Sequence, residues 1–157
     1  MKANMGAVYF YHLTQKPLEA TLPLLLSKAL GAGWRCLVVG PDPARLTALD
    51  AALWKGKETE FLAHGLAGGP HDADQPILLS SEHSASNKAA CVMCIEGAQI
   101  SPEHVQNYER SCILFDGNDE SAVQAARLQW KTLTGAGCAA QYWSEESGNW
   151  QMKAKKD

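Results

Sequence analysis

Three residues able to do chemistry share one helical stretch. Arg127, Trp130 and Lys131 stand at i, i+3 and i+4, which puts a guanidinium, an indole and an ammonium on one helix face. A small cationic pocket with an aromatic wall suits an acidic peptide that ends in an apolar residue and a carboxylate. The plainer account is that Arg127 and Lys131 complement the negative end of the helix macrodipole while Trp130 belongs to the core. Spacing alone leaves both open. Trp54, at the end of an earlier helix, and Phe61 are further large apolar groups at a loop edge. Exposed there, they mark a partner site; buried, they are core.

The remaining candidates are weaker. Cys91-Val-Met-Cys94 has the spacing of redox and zinc sites, but it lies in the apolar run AACVMCIE, where residues three apart on a strand face opposite ways. A redox pair needs its first thiol at a helix N-terminus, and a structural zinc site needs a second close pair, whereas Cys112 and Cys138 are isolated. The five histidines show no paired ligand spacing, and His71-Asp72-Ala73-Asp74 sits in a Gly/Pro-rich loop that suits a solvated turn. There is no G-x-x-x-x-G-K-[ST], no G-x-G-x-x-G and no G-x-S-x-G. In VVGPDP the prolines remove amide donors that a phosphate would need. The residues therefore predict no catalytic site, no metal and no cofactor.

The elements that must carry these residues alternate. AVYFYHL (7–13) reads as a strand, and the run after Pro17 as a helix whose Pro23 should kink it or move its start to about residue 22. WRCLVVG (34–40) is a strand buried on both faces. PARLTALDAALW (43–54) is a helix capped by Asp42. Residues 55–75 read as loop. Short strands follow at 77–80, 89–95 and 111–115, with a short helix from Pro102 capped by Ser101. The last helix runs over roughly 119–134 and leads into a final strand, CAAQYW. KALGAGWRCLVV and KTLTGAGCAAQYW each place Gly-Ala-Gly between a helix end and a strand, as glycine C-caps require. This alternation predicts one α/β domain over 1–152, with a mostly parallel twisted sheet covered by helices, and a flexible basic tail over 153–157.

Composition bounds the partners. In 157 residues, fourteen Lys and Arg against seventeen Asp and Glu give a formal charge of −3, which argues against wrapping nucleic acid. The odd number of cysteines, all in apolar runs, reads as reduced thiols of a cytoplasmic protein. The amino terminus lacks the pattern of a signal peptide, and no apolar run is long enough to span a membrane.

LDAALW (49–54), Phe61 and HGLAGG (64–69) together resemble the L-D-x-A-L-W…F-x-x-H-x-L-A-G signature of the chi subunit of bacterial DNA polymerase III. The segment from Ala125 through Arg127, Trp130, Lys131, Ala136 and Gly137 is similar to that family's closing motif, with Trp130 in place of a usual tyrosine. The resemblance implies a Rossmann-like, three-layer accessory protein with no catalytic role and no nucleotide, monomeric on its own. It would sit at the clamp-loader end of the replicase, meeting DNA only indirectly by binding the acidic C-terminal tail of single-stranded-DNA-binding protein. Arg127, Trp130 and Lys131 match the family's tail-binding face, Trp54 a second aromatic of that surface, and Phe61 the contact with the psi subunit or an alternative helicase partner. Ala122 and Val123 stand where some members are more basic, which implies a less cationic pocket. A small α/β enzyme or nucleotide-binding protein is the alternative.

Overall fold

A computed structural model describes residues 6–55, 63–83 and 86–156. Its elements are β1 (Ala7–Leu13), α1 (Leu18–Gly31), β2 (Cys36–Val39), α2 (Pro43–Trp54), β3 (His64–Leu66), a 3-10 turn (Asp72–Asp74), β4 (Ile77–Ser80), β5 (Cys91–Ile95), α3 (Pro102–Gln106), β6 (Arg110–Asp116), α4 (Glu120–Gly135), β7 (Ala140–Ser144) and β8 (Gln151–Lys156). The strands form one sheet in the order β3-β4-β2-β5-β6-β1-β7-β8, parallel throughout except for β8. It is a three-layer, Rossmann-like α/β fold. Leu22, Leu26, Leu46, Leu49 and Leu53 bring α1 and α2 onto one face, while Val105, Ala126 and Leu133 bring α3 and α4 onto the other. Central strands β2 and β5 are buried on both faces, as their unbroken apolar runs require. No helix among the described residues is long and apolar enough to cross a membrane.

Local chemistry sets the helix starts. Asp42, Ser101 and Asp119 accept from the amides of Ala44, His104 and Ser121, so α2, α3 and α4 start on side-chain caps, while α1 starts after Pro17 without one. The two Gly-Ala-Gly ends are matched Schellman caps. Trp34 N–H donates to the Ala29 carbonyl and Gly33 N–H to that of Leu30; Cys138 and Gly137 repeat the pattern on Leu133 and Thr134. Gly33 and Gly137 take φ of +87° and +94° with open space where a Cβ would stand, so backbone conformation alone demands glycine. Gly137→Ala should therefore cost about 1 kcal/mol, read as a lower urea midpoint with unchanged slope.

Three expectations are corrected. First, α1 runs unbroken through Pro23, because only one ladder hydrogen bond is forfeited while Thr21, Leu22, Leu26 and Ala29 stay buried on one side. Second, residues 55–75 include a strand, β3, too short for any periodicity to reveal. Third, residues 153–156 are not a frayed tail: they are strand, paired with β7 by backbone hydrogen bonds that need no apolar pattern. Lys153 is the extra residue of a bulge opposite the Tyr142–Trp143 step.

Candidate functional site

Helix α4 lies along β6 and β7 and holds the cationic and aromatic residues in its last turns. Arg127 and Lys131 are exposed and Trp130 is half-buried. Among the described residues no carboxylate forms a salt bridge with either cation. Trp130 is neither sealed in the core nor free of it. One side of its indole packs edge-on against Phe10 of β1, ring centroids 5.4 Å apart, and against Tyr142 of β7 at 6.1 Å. Phe10 is wholly buried, so the core fixes the indole while its other side stays open. The three residues thus share one face, an anchored ring beside two cations that have no ion-pair partner among the described residues.

Beyond α4 the sheet continues as an uncovered floor. Tyr142 is half-buried there, stacked on Phe10 at 6.3 Å. Its O–H donates to His12 Nδ1 at 3.0 Å, and His12 Nε2–H donates to the Gly117 carbonyl at 3.4 Å. A Cβ at position 117 would overlap the His12 ring, so glycine permits that approach. Burial pushes the Tyr142 phenol above its usual range; the Arg127 charge opposes that shift and Glu146 adds to it. Register carries the floor to the sheet edge. Ala140 faces Lys156 and Tyr142 faces Ala154, so Lys156 is on the same side of the sheet as Tyr142. Tyr142, His12 and Lys156 were not singled out by sequence. Only the strand parity of CAAQYW hints at Tyr142, and Lys156 needs the pairing of β8.

Trp54 does not join this face. Helix α2 packs over β3 and β4 on the opposite side of the sheet, and four to five strand spacings of about 4.8 Å put it roughly 20 Å along from α4. Trp54 is 53% exposed and covers the ring of His64 at 4.3 Å. Buried His64 donates from Nε2 to the Asp50 carbonyl at 3.0 Å, with Asp50 Oδ1 at 3.2 Å. Asp50, Trp54 and His64 of the LDAALW…HGLAGG pattern thus staple the end of α2 to β3. Phe61 lies outside the described residues.

Strand parity decides the thiols. Cys91 faces α1 and α2 while Cys94 faces the other layer, so the pair cannot act together. Cys36, Cys91 and Cys112 instead meet across β2, β5 and β6. The hydrogen bonds of Cys112 and Cys36 to Cys91 pull its thiol below the ordinary range, and the same bonds push Cys36 and Cys112 above theirs. All five cysteines are buried and reduced, and the described residues hold no cluster fit for a metal. Native protein should label with a maleimide no faster than it unfolds, with all five thiols appearing together; stopped-flow labelling against denaturant checks this.

A crevice of about 770 Å³ opens at the carboxyl ends of β1 and β6, whose following helices α1 and α4 lie on opposite faces. Sheets of this kind hold ligands at such a switch point. Here Arg45 spans the crevice, bonded to Glu19 and Glu96 at 2.7 Å each. Asp72, in the loop with His71 and Asp74, caps the amides of Gly68 and Gly69 and so serves its own turn.

The model of the family described as DNA polymerase III chi subunit, HolC, matches residues 5–141. A protein of Rickettsia prowazekii (strain Madrid E) described as a probable DNA polymerase III subunit chi is 22% identical over 111 residues, covering 68% of this chain and 67% of its own. The family match runs from β1 through all four helices to the start of β7. It takes in the α4 cations, the indole beside them and the Asp50–His64 staple. The chain belongs to the DNA polymerase III chi subunit family.

Proposed function

We propose that this protein is a non-catalytic accessory subunit whose α4 face holds the acidic C-terminal tail of single-stranded-DNA-binding protein, tethering the clamp-loader end of the replicase to coated template. The observation that carries this reading is the half-open Trp130 on the same helix face as two exposed cations that have no carboxylate partner among the described residues. Arg127 and Lys131 would hold the terminal carboxylate and flanking acids by charge-assisted hydrogen bonds. Trp130 and Tyr142 offer an apolar seat for the last side chain, and Lys156 extends the positive field along the sheet edge. Contacts with a second subunit, psi or an alternative helicase, belong at the other end of the sheet, where Trp54 and Leu66 are exposed.

The test is a titration with a fluorescent acidic peptide ending in Phe and a free carboxylate. The expected dissociation constant is on the order of micromolar at low salt and rises as salt screens the exposed charges. Amidating the peptide's terminus should weaken binding roughly tenfold. Absence of binding at low salt, or indifference to the terminal carboxylate, would overturn the reading. An affinity of this order suffices in function if the tails are presented in several copies.

A further inference from the structure

The turn after β1 aims three successive backbone N–H groups, those of Thr14, Gln15 and Lys16, at a single oxygen. That oxygen is Oε2 of Glu145, at 3.1, 3.1 and 3.2 Å. Glu145 follows β7, about 130 residues further along the chain, and is only 2% exposed. A buried carboxylate is costly unless its charge is met, and three converging amides meet it. Consecutive N–H groups directed at one point form an anion-binding concavity, which takes phosphate as readily as carboxylate. Residues 14–16 also line the 770 Å³ crevice, yet Glu145 does not. The amide side of the turn therefore faces away from the crevice and is filled from behind.

We propose that Glu145 is a built-in anion occupying this seat, which both staples the end of β7 to the β1–α1 turn and closes the seat to phosphate-bearing ligands. Removing the carboxylate exposes a latent phosphate site. Glu145 lies beyond the residues 5–141 matched by the family model, so the staple is read from this chain's own structure. It is independent of the tail-binding face.

Inorganic phosphate is the probe, with chloride at matched ionic strength separating site binding from screening. In Glu145→Ala, the amide resonances of residues 14–16 should shift and saturate with phosphate, and the melting temperature should rise with it. Wild type should respond at those amides at least about tenfold more weakly. Glu145→Gln keeps the side chain's size and an acceptor oxygen without the charge, so it should bind phosphate less well than Glu145→Ala. Equal saturation of wild type, or no response at residues 14–16 in a folded variant, overturns the proposal. Should both variants fail to fold, hydrogen exchange on wild type decides. The three amides must exchange far more slowly than neighbouring exposed amides, and free-loop rates would refute the occupied seat.

Discussion

Replacing Arg127 and Lys131 together by alanine should weaken binding of the acidic tail peptide by about 2–3 kcal/mol, roughly 30- to 150-fold. A single exposed ion pair is commonly worth no more than about 1 kcal/mol, because water and salt already solvate both charges. The larger figure rests on Trp130, which flanks the two cations on one helix face and would exclude solvent from one side of a carboxylate they hold. Neither cation forms an ion pair among the described residues, so their loss strands no buried charge and stability should stay within about 0.5 kcal/mol of wild type. The salt dependence should flatten together with the affinity, since the residual binding of the double variant is largely apolar, with Lys156 keeping a small charged share. Isothermal titration at two ionic strengths reads both quantities. Unchanged affinity in a folded double variant would remove the charges from the site.

Some of this was legible in the sequence because it is encoded locally. The caps Asp42 and Ser101 and the two glycine ends are each set by a few adjacent residues, and they lie where the sequence places them; for the last helix the sequence offers Asn118 or Asp119, and Asp119 is the cap. The grouping of Arg127, Trp130 and Lys131 needs only helical spacing, so it too could be read. Trp54 could not be assigned in that way. Nothing within α2 states which side of the sheet it will cover, because crossover direction and strand order settle that. Strand β8 was hidden for a different reason: QMKAKK has little apolar alternation, and its pairing with β7 is made by backbone groups that every residue carries. Tyr142 becomes part of the floor only once β7 lies beside β1. Glu145 reads as one polar residue among several in SEESGN, and only folding brings it to amides some 130 positions earlier.

Trp130 carries both structure and the proposed function, and its two roles can be separated. Trp130→Ala should destabilise the protein by about 2–3 kcal/mol, below the 3–5 kcal/mol typical of a wholly buried aromatic because the indole is only half-buried. For a chain of this size that is a fall in melting temperature of roughly 5–10 °C. The loss comes from the edge-on contacts with Phe10 and Tyr142 and from the gap left over the β1–β7 floor. Tail binding should fall at least about tenfold in the same variant, measured well below its melting point. Trp130→Tyr separates the two effects. A phenol ring can keep an edge toward Phe10 and project its O–H to solvent, so stability should recover to within about 1 kcal/mol and binding should return with it. Trp130→Leu makes the opposite comparison, filling most of the gap without a ring face. If Leu restores stability but not affinity, the ring itself is what the ligand touches. If Leu restores both, Trp130 serves only to brace α4 against the sheet, and the binding energy must come from the cations and Tyr142.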